Sequence, residues 1–287
     1  MNLSTLISPE QLAAQLGAAD LLIVDCRFDL AAPGKGRDLG RGEREYAEAH
    51  LPGAVYANLD TDLSDLSKPG LGRHPLPDAA AFSAVLSRWG WTPAMRVVAY
   101  DDAGGALAAA RLWWMLRLVG AREVAVLDGG LKAWREAGLP LESAVPQRAP
   151  TPVQVEFDAS QIVYTDALQR LGDGALLLDA RGAPRFRGVV EPIDPVAGHV
   201  PGARNRPLID NFDARGRYKS ADALRAEFCA LIGSRVPSEV IHMCGSGVSA
   251  CANLLAMEHA GLSGSRLYAP SWSGWISDPA RQIATGT

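Results

Sequence analysis

The chain of 287 residues carries 28 basic against 32 acidic side chains, a net charge of -4, which offers no basic field for nucleic acid or an anionic membrane. Its 48% hydrophobic residues fall in short runs, so two globular domains of ordinary size are expected and membrane-spanning helices are not. The N-terminus has no basic start followed by an apolar run, and the four cysteines show no C-x-x-C spacing, so a cytoplasmic protein with reduced thiols and no zinc site is expected.

Taken in order, the chain predicts a short buried strand, Leu22-Ile-Val-Asp25, followed by Arg27, then a loop ending His50-Leu-Pro-Gly-Ala54. A second strand, Arg96 to Tyr100, leads through Asp101 and a glycine-bearing turn into a helix. A tract ending Leu131-Lys-Ala-Trp134 closes this unit. Next comes Val145-Pro-Gln-Arg-Ala-Pro-Thr-Pro152, whose three prolines rule out a helix interior or a central strand. The pattern then returns: Leu177-Leu-Asp179-Ala-Arg181, His199-Val-Pro-Gly-Ala203, Glu239 to Met243 ending at Cys244, and Ser271-Trp-Ser-Gly-Trp275. Strand, loop, strand, helix, strand in each copy predicts two α/β domains with mostly parallel central sheets flanked by helices. The divisions are residues 1–143, a linker at 144–158, and residues 159–287. Asp101 and Cys244 take equivalent places. His50 and His199 recur in both copies, so they read as turn organisers. Asp25 with Arg27, and Asp179 with Arg181, read as scaffold ion pairs, and Trp113, Trp114, Trp134, Trp272 and Trp275 as core and interface residues.

The segment Cys244-Gly-Ser-Gly-Val-Ser-Ala250 stands between the predicted strand Val240 to Met243 and a helix ending near Gly261. Gly245 and Gly247 let such a loop curl and turn successive N–H groups toward the sulfur, and the helix dipole adds positive potential. Both favour a thiolate, which would carry a transferred sulfur as a persulfide. A free cysteine is more often a small buried hydrophobe, and Cys26, Cys229 and Cys251, which lack this setting, are read that way. The same loop matches the dinucleotide pattern G-x-G-x-x-A, but no acidic residue ends the next strand, Arg266 to Pro270, where a ribose partner belongs. A cysteine phosphatase would close the loop with arginine, and this chain has Ser249 or Ala250 there.

The assembled pattern resembles the tandem rhodanese-domain sulfurtransferases over nearly the whole chain. The Cys244 loop is similar to the 3-mercaptopyruvate branch, with Gly245 and Ser246 where thiosulfate-using members carry basic residues. The resemblance implies a catalytically silent first domain and a set of Cys244, Ser246, His74 (in His-Pro-Leu-Pro77) and Asp60, with Asp62 and Asp65 as competitors for the aspartate. It further implies that Gly245, Gly247, Val248 and Ser249 line the substrate and that Arg185 binds its carboxylate, as the planar guanidinium fork suits that group. The second arginine of the family pattern is absent, since Ile193 stands in its place, and Arg187, Arg204 and Arg206 are the candidates to substitute. Sulfur would pass from 3-mercaptopyruvate or thiosulfate through a Cys244 persulfide to cyanide, a small thiol or thioredoxin, with no metal or organic cofactor. The alternatives are a thiosulfate-specific rhodanese and a persulfide relay or redox-sensing module with a protein acceptor.

Overall fold

A computed structural model describes residues 5–29 and 38–287. Residues 1–4 and 30–37 of the expected first domain lie outside the described residues. Five strands, β1 (Leu6–Ile7), β2 (Leu21–Asp25), β3 (Ala54–Tyr56), β4 (Arg96–Tyr100) and β5 (Val124–Leu127), form one sheet in the order β1-β5-β4-β2-β3. Five more, β6 (Ile162–Val163), β7 (Leu176–Asp179), β8 (Arg204–Asn205), β9 (Val240–Met243) and β10 (Arg266–Tyr268), form a second in the order β6-β10-β9-β7-β8. Every pairing is parallel, and the two orders correspond strand for strand. Strands buried on both faces favour apolar side chains throughout, which is why β2, β4 and β9 read as largely apolar runs without alternation, with Asp25 and His242 as buried polar exceptions.

Helices α1 (Pro9–Ala13), α2 (Arg41–Glu48), α3 (Ala79–Arg88), α4 (Ala108–Leu118) and α5 (Gly130–Glu136) surround the first sheet. Helices α6 (Thr165–Leu171), α7 (Ala183–Phe186), α8 (Ala221–Ile232), α9 (Ala250–His259) and α10 (Ser271–Trp275) surround the second. The repeated polar residues have repeated structural jobs. Arg27 forks onto the buried Asp25 carboxylate and donates to the Ala49 carbonyl, and Arg181 does the same with Asp179 and the Gly198 carbonyl. His50 stacks on Tyr46 and His199 on Phe186, each with Nδ1 against that residue's own carbonyl. Such pairs pin the long loop between the second and third strand of each copy.

The halves share a core. Helix α4 is buried at every position except Arg117, and it packs on α9, buried from Ala250 to Met257. One apolar cluster therefore runs from Leu22 and Trp114 of the first half to Leu178 and Leu255 of the second. Each large apolar side chain so buried contributes about 1.5–3 kcal/mol, which fixes the halves relative to each other. The proline-rich connection runs over the first half, where Thr151 N–H donates to the Ser87 carbonyl, Val155 N–H to Ser83 Oγ and Asp158 N–H to the Leu118 carbonyl.

Candidate active site

Strand β9 delivers Cys244 to the carboxyl edge of the second sheet, where β9 lies between β7 and β10 and the chain leaves in opposite directions. In open α/β sheets that crevice is where ligands bind. Cys244 is 1% exposed. Its N–H donates to Ser271 Oγ at 3.2 Å, and Gly247 N–H points at its Sγ, also at 3.2 Å. Gly247 has φ +78°, and a Cβ there would sit 2.5 Å from the Ala269 carbonyl oxygen, so only glycine closes this curl. Val248 is buried under the loop, and Ser249 precedes the first residue of α9. Ser271, below the cysteine, holds a left-handed φ of 54°. Such a conformation costs a non-glycine residue about 1 kcal/mol or more and persists only where surroundings enforce it.

The equivalent loop in the first half shows what this geometry accepts. Asp101, at the end of β4, is fully buried, and its Oδ1 receives the N–H groups of Ala103 (2.9 Å) and Gly105 (2.7 Å). Its Oδ2 receives those of Leu107 (3.1 Å) and Ala109 (3.2 Å). Burial raises the Asp101 carboxyl, and these four donors oppose the rise. A strand–loop–helix of this kind is thus a cradle of inward N–H groups, filled in one copy by a carboxylate and topped in the other by a sulfur.

The first half also reaches across to the second. Ser246 Oγ lies 2.8 Å from His74 Nδ1, and His74 Nε2 lies 3.5 Å from Asp60 Oδ1. The competing aspartates are occupied elsewhere: Asp62 with Arg88, and Asp65 with Ser67 and Lys68. The 70–74 loop docks because Gly72, at φ +90°, passes so close to the Pro270 carbonyl that a Cβ would be 2.4 Å from it. Arg73 N–H then donates to Ser273 Oγ at 3.0 Å, while Ser273 N–H donates to the Gly245 carbonyl at 2.9 Å. Arg111 of α4 is buried with no carboxylate in ion-pair reach among the described residues. It donates to the carbonyls of Gly247 (2.8 Å), His74 (3.1 Å) and Leu63 (3.4 Å), so one guanidinium ties the histidine loop to the cysteine loop.

On the other side of the loop, Arg185 forks onto Glu191 and also reaches Asp194 at 3.0 Å. Gly245 is not in a left-handed conformation; what it provides is space, since a Cβ there would stand 2.8 Å from Arg73 Nη2 and 3.6 Å from Arg185 Nη2. Of the substitutes for the missing arginine, Arg206 pairs with Glu227 and Asn211, Arg204 donates to the Leu231 carbonyl and Arg187 is exposed. Cys251 is buried in α9, its thiol 3.5 Å from the Gly247 carbonyl and pushed up to about 12 by burial. No group of three His, Cys, Asp or Glu side chains is placed to hold a metal among the described residues.

Sequence reasoning did not single out Arg73, Arg111 or the hydroxyl of Ser271 for the site. Arg111 had a signal, a lone charge inside the otherwise apolar Ala108-Ala-Ala-Arg-Leu-Trp-Trp114. Arg73 had none, because its position depends on an interdomain contact between irregular loops.

A sequence profile for the rhodanese-like domain matches residues 8–137 and 163–278. A Pseudomonas aeruginosa protein named "Probable 3-mercaptopyruvate sulfurtransferase" is 48% identical over 290 residues, covering 100% of both chains. The SseB protein of Mycobacterium tuberculosis, whose name assigns it to thiosulfate, is 40% identical and covers 98% of this chain and 97% of its own. The solved structure of 3-mercaptopyruvate sulfurtransferase from Leishmania major superposes with a TM-score of 0.82 at 33% identity, over 96% of this chain and 76% of that one.

Proposed function

The chain belongs to the rhodanese-like family, and from that membership we propose that it is a sulfurtransferase in which Cys244 takes sulfur from 3-mercaptopyruvate and holds it as a persulfide. One observation carries the reading: a buried cysteine at a strand end, with an N–H on its sulfur, stands beside a Ser246–His74–Asp60 chain contributed by both halves. In the first half-reaction the Cys244 thiolate attacks the thiol sulfur of the donor. The new S–S bond forms as the C–S bond breaks. Its electron pair leaves on the methylene carbon as the pyruvate enolate, which then takes up a proton. Ser246 and His74 move that proton, with Asp60 orienting the ring. Glycine at 245 and the N–H groups of Gly247, Val248 and Ser249 make the space and the partial positive charge for the persulfide anion. Arg185 binds the donor's carboxylate.

In the second half-reaction an acceptor thiolate, a small thiol or thioredoxin, or cyanide, attacks the outer sulfur and restores the Cys244 thiolate. The cycle is ping-pong because the enzyme is covalently modified between substrates. We read residues 1–143 as silent in this chemistry, 159–287 as catalytic, and the cytoplasm as the place where the thiol stays reduced. Thiosulfate is the second reading for the donor, favoured by the likeness to SseB.

Intact-mass measurement after incubation with each donor tests the proposal. Wild type should gain about 32 Da, the mass of one sulfur, removable by cyanide or dithiothreitol, and Cys244→Ser should gain nothing. The donor that loads faster identifies the physiological class. Reduced wild type that gains no sulfur from either would end the small-donor reading and leave the persulfide relay.

A further inference from the structure

Arg111 stands in α4 inside the shared core, fully buried, with no carboxylate in ion-pair reach among the described residues. A guanidinium taken out of water without a counter-ion is costly, and an apolar residue would pack α4 on α9 at less cost. What the arginine supplies is reach. Its Nη1 donates to the Gly247 carbonyl at 2.8 Å, and its Nη2 to the carbonyls of His74 at 3.1 Å and Leu63 at 3.4 Å. Each carbonyl belongs to a different segment of the site. Gly247 lies in the loop of Cys244 and Ser246, and His74 carries the imidazole. Leu63 closes the turn that holds Asp60: its N–H donates to the Asn58 carbonyl at 3.3 Å, while Asp60 N–H donates to Asn58 Oδ1 at 2.9 Å. Cys244, Ser246, His74 and Asp60 all lie within three residues of a carbonyl that Arg111 holds.

Peptide planarity carries the hold onward. A trans peptide points its N–H opposite to its C=O, so with the Gly247 carbonyl on Arg111 the Val248 N–H points away from the guanidinium. The His74 carbonyl belongs to the bond to Pro75, whose ring already restrains the residue before it. Holding that carbonyl fixes the His74 backbone and with it the ring that lies 2.8 Å from Ser246 Oγ. The duplicated position offers a contrast. Arg111 is the fourth residue of α4, and the fourth residue of α9 is Asn253, also fully buried. Its short neutral amide donates to the Arg206 carbonyl at 2.9 Å and accepts from Asn211 Nδ2 at 2.6 Å, both in its own half. The long cation stands where segments of both halves must meet.

We propose that Arg111 is a positioning residue for the sulfur transfer: from inside the core it sets the His74 segment in register with the Cys244 loop and so brings the imidazole to the Ser246 hydroxyl. Arg111 is 0% exposed and meets no solute in the cleft, so it acts on the proton-moving step and not on donor affinity. The Cys244 loop has supports of its own, since Trp272 N–H donates to the Cys244 carbonyl at 3.0 Å and Ser273 N–H to the Gly245 carbonyl at 2.9 Å. Loss of the guanidinium therefore costs register between the loops and leaves the loops standing. The inference rests on the sulfur-transfer reading and adds to it a residue that the reading does not use.

The test is a double-mutant cycle on single-turnover sulfur loading from 3-mercaptopyruvate, read by intact mass from quenched-flow to overnight times. Arg111→Met is made in the wild-type and in the His74→Ala background. In the wild-type background the loading rate at saturating donor should fall roughly tenfold to a hundredfold, part of what a positioned acid–base group contributes, with the half-saturating donor concentration within about threefold. In the His74→Ala background the same substitution should cost no more than about threefold, because a residue that acts through the imidazole then has nothing left to position. A larger loss there, which a general structural defect would give, overturns the proposal. So does a loss below about tenfold in the wild-type background, or a half-saturating concentration that rises by more than about threefold. A thermal melt checks folding, and if Arg111→Met does not fold, Arg111→Lys, which lacks the planar fork, takes its place in the cycle under the same limits. Wild type loaded by thiosulfate but not by 3-mercaptopyruvate overturns the proposal as well, since sulfite leaves as an anion that needs no proton from the relay. Wild type loaded by neither donor would instead overturn the sulfur-transfer reading.

Discussion

Asp101 shows how much a cradle of N–H groups depends on the exact charge of what fills it. Each carboxylate oxygen accepts two backbone donors. Asp101→Asn keeps the shape but turns one oxygen into an NH2 group that faces two N–H donors. It should destabilise the protein by about 2–4 kcal/mol, because buried donors left unpaired carry their full desolvation cost, and urea unfolding monitored by tryptophan fluorescence would read it. A variant within about 0.5 kcal/mol of wild type would mean that water satisfies those donors instead. At this scale the sequence was informative wherever residue type and local spacing carry the meaning. Cys244, Ser246, Gly247 and His74 are of that kind, and the structure brings Ser246 and His74 within 2.8 Å. Gly245 was legible as a glycine that lets the loop curl, but the sequence did not show the space it leaves beside Arg73 and Arg185. Arg73 was not legible, since no local pattern says what a loop residue will meet in another domain.

Strand β9 illustrates the element scale. Its four side chains are all fully buried, and one of them is His242. Nε2 lies 3.2 Å from Met257 Sδ, and Nδ1 has no hydrogen-bond partner among the described residues. Burial, and then the Arg206 charge, push its pKa down from 6.5 to about 3. The imidazole is therefore neutral in the folded protein and charges first in the unfolded chain. The stability it permits is complete above pH 6.5 and is lost as pH falls toward 3. By pH 5 the loss should reach about 2 kcal/mol, and His242→Gln, which cannot titrate, should lose that much less than wild type between pH 7 and pH 5 in urea titrations. Parallel curves for the two proteins would refute the assignment. The strands themselves were readable because buried parallel strands are continuous apolar runs. Strands β1 and β6 were not, because two residues carry no period, and neither was the stretch from Gly188 to Ser220, whose turns and single-turn helices are set by tertiary contacts.

The whole molecule is held by its shared core more than by its connection. Residues 145–152 are half-buried or exposed, whereas the α4–α9 contact is continuous apolar packing. A protease nick within 145–152 should leave the two fragments associated in gel filtration and at least half of the sulfur-transfer rate intact. Fragments that separate on the column would show that the connection, not the core, holds the halves together. The organisation by duplication was legible from the twin Asp-x-Arg and His-x-Pro-Gly-Ala signatures, but the fusion of two domain cores into one was not, since apolar composition does not say which faces meet. The 2.8 Å reach from His74 to Ser246 has a further consequence, for descent. A duplicated copy that carries Asp101 where its twin carries Cys244 would ordinarily be free to decay or be deleted. Here a lineage that discarded it would keep the Cys244 loop and forfeit the histidine and Arg73 that dock beside it, so mutation in the copy that carries Asp101 should be purged most strongly at the few positions it presents to its twin.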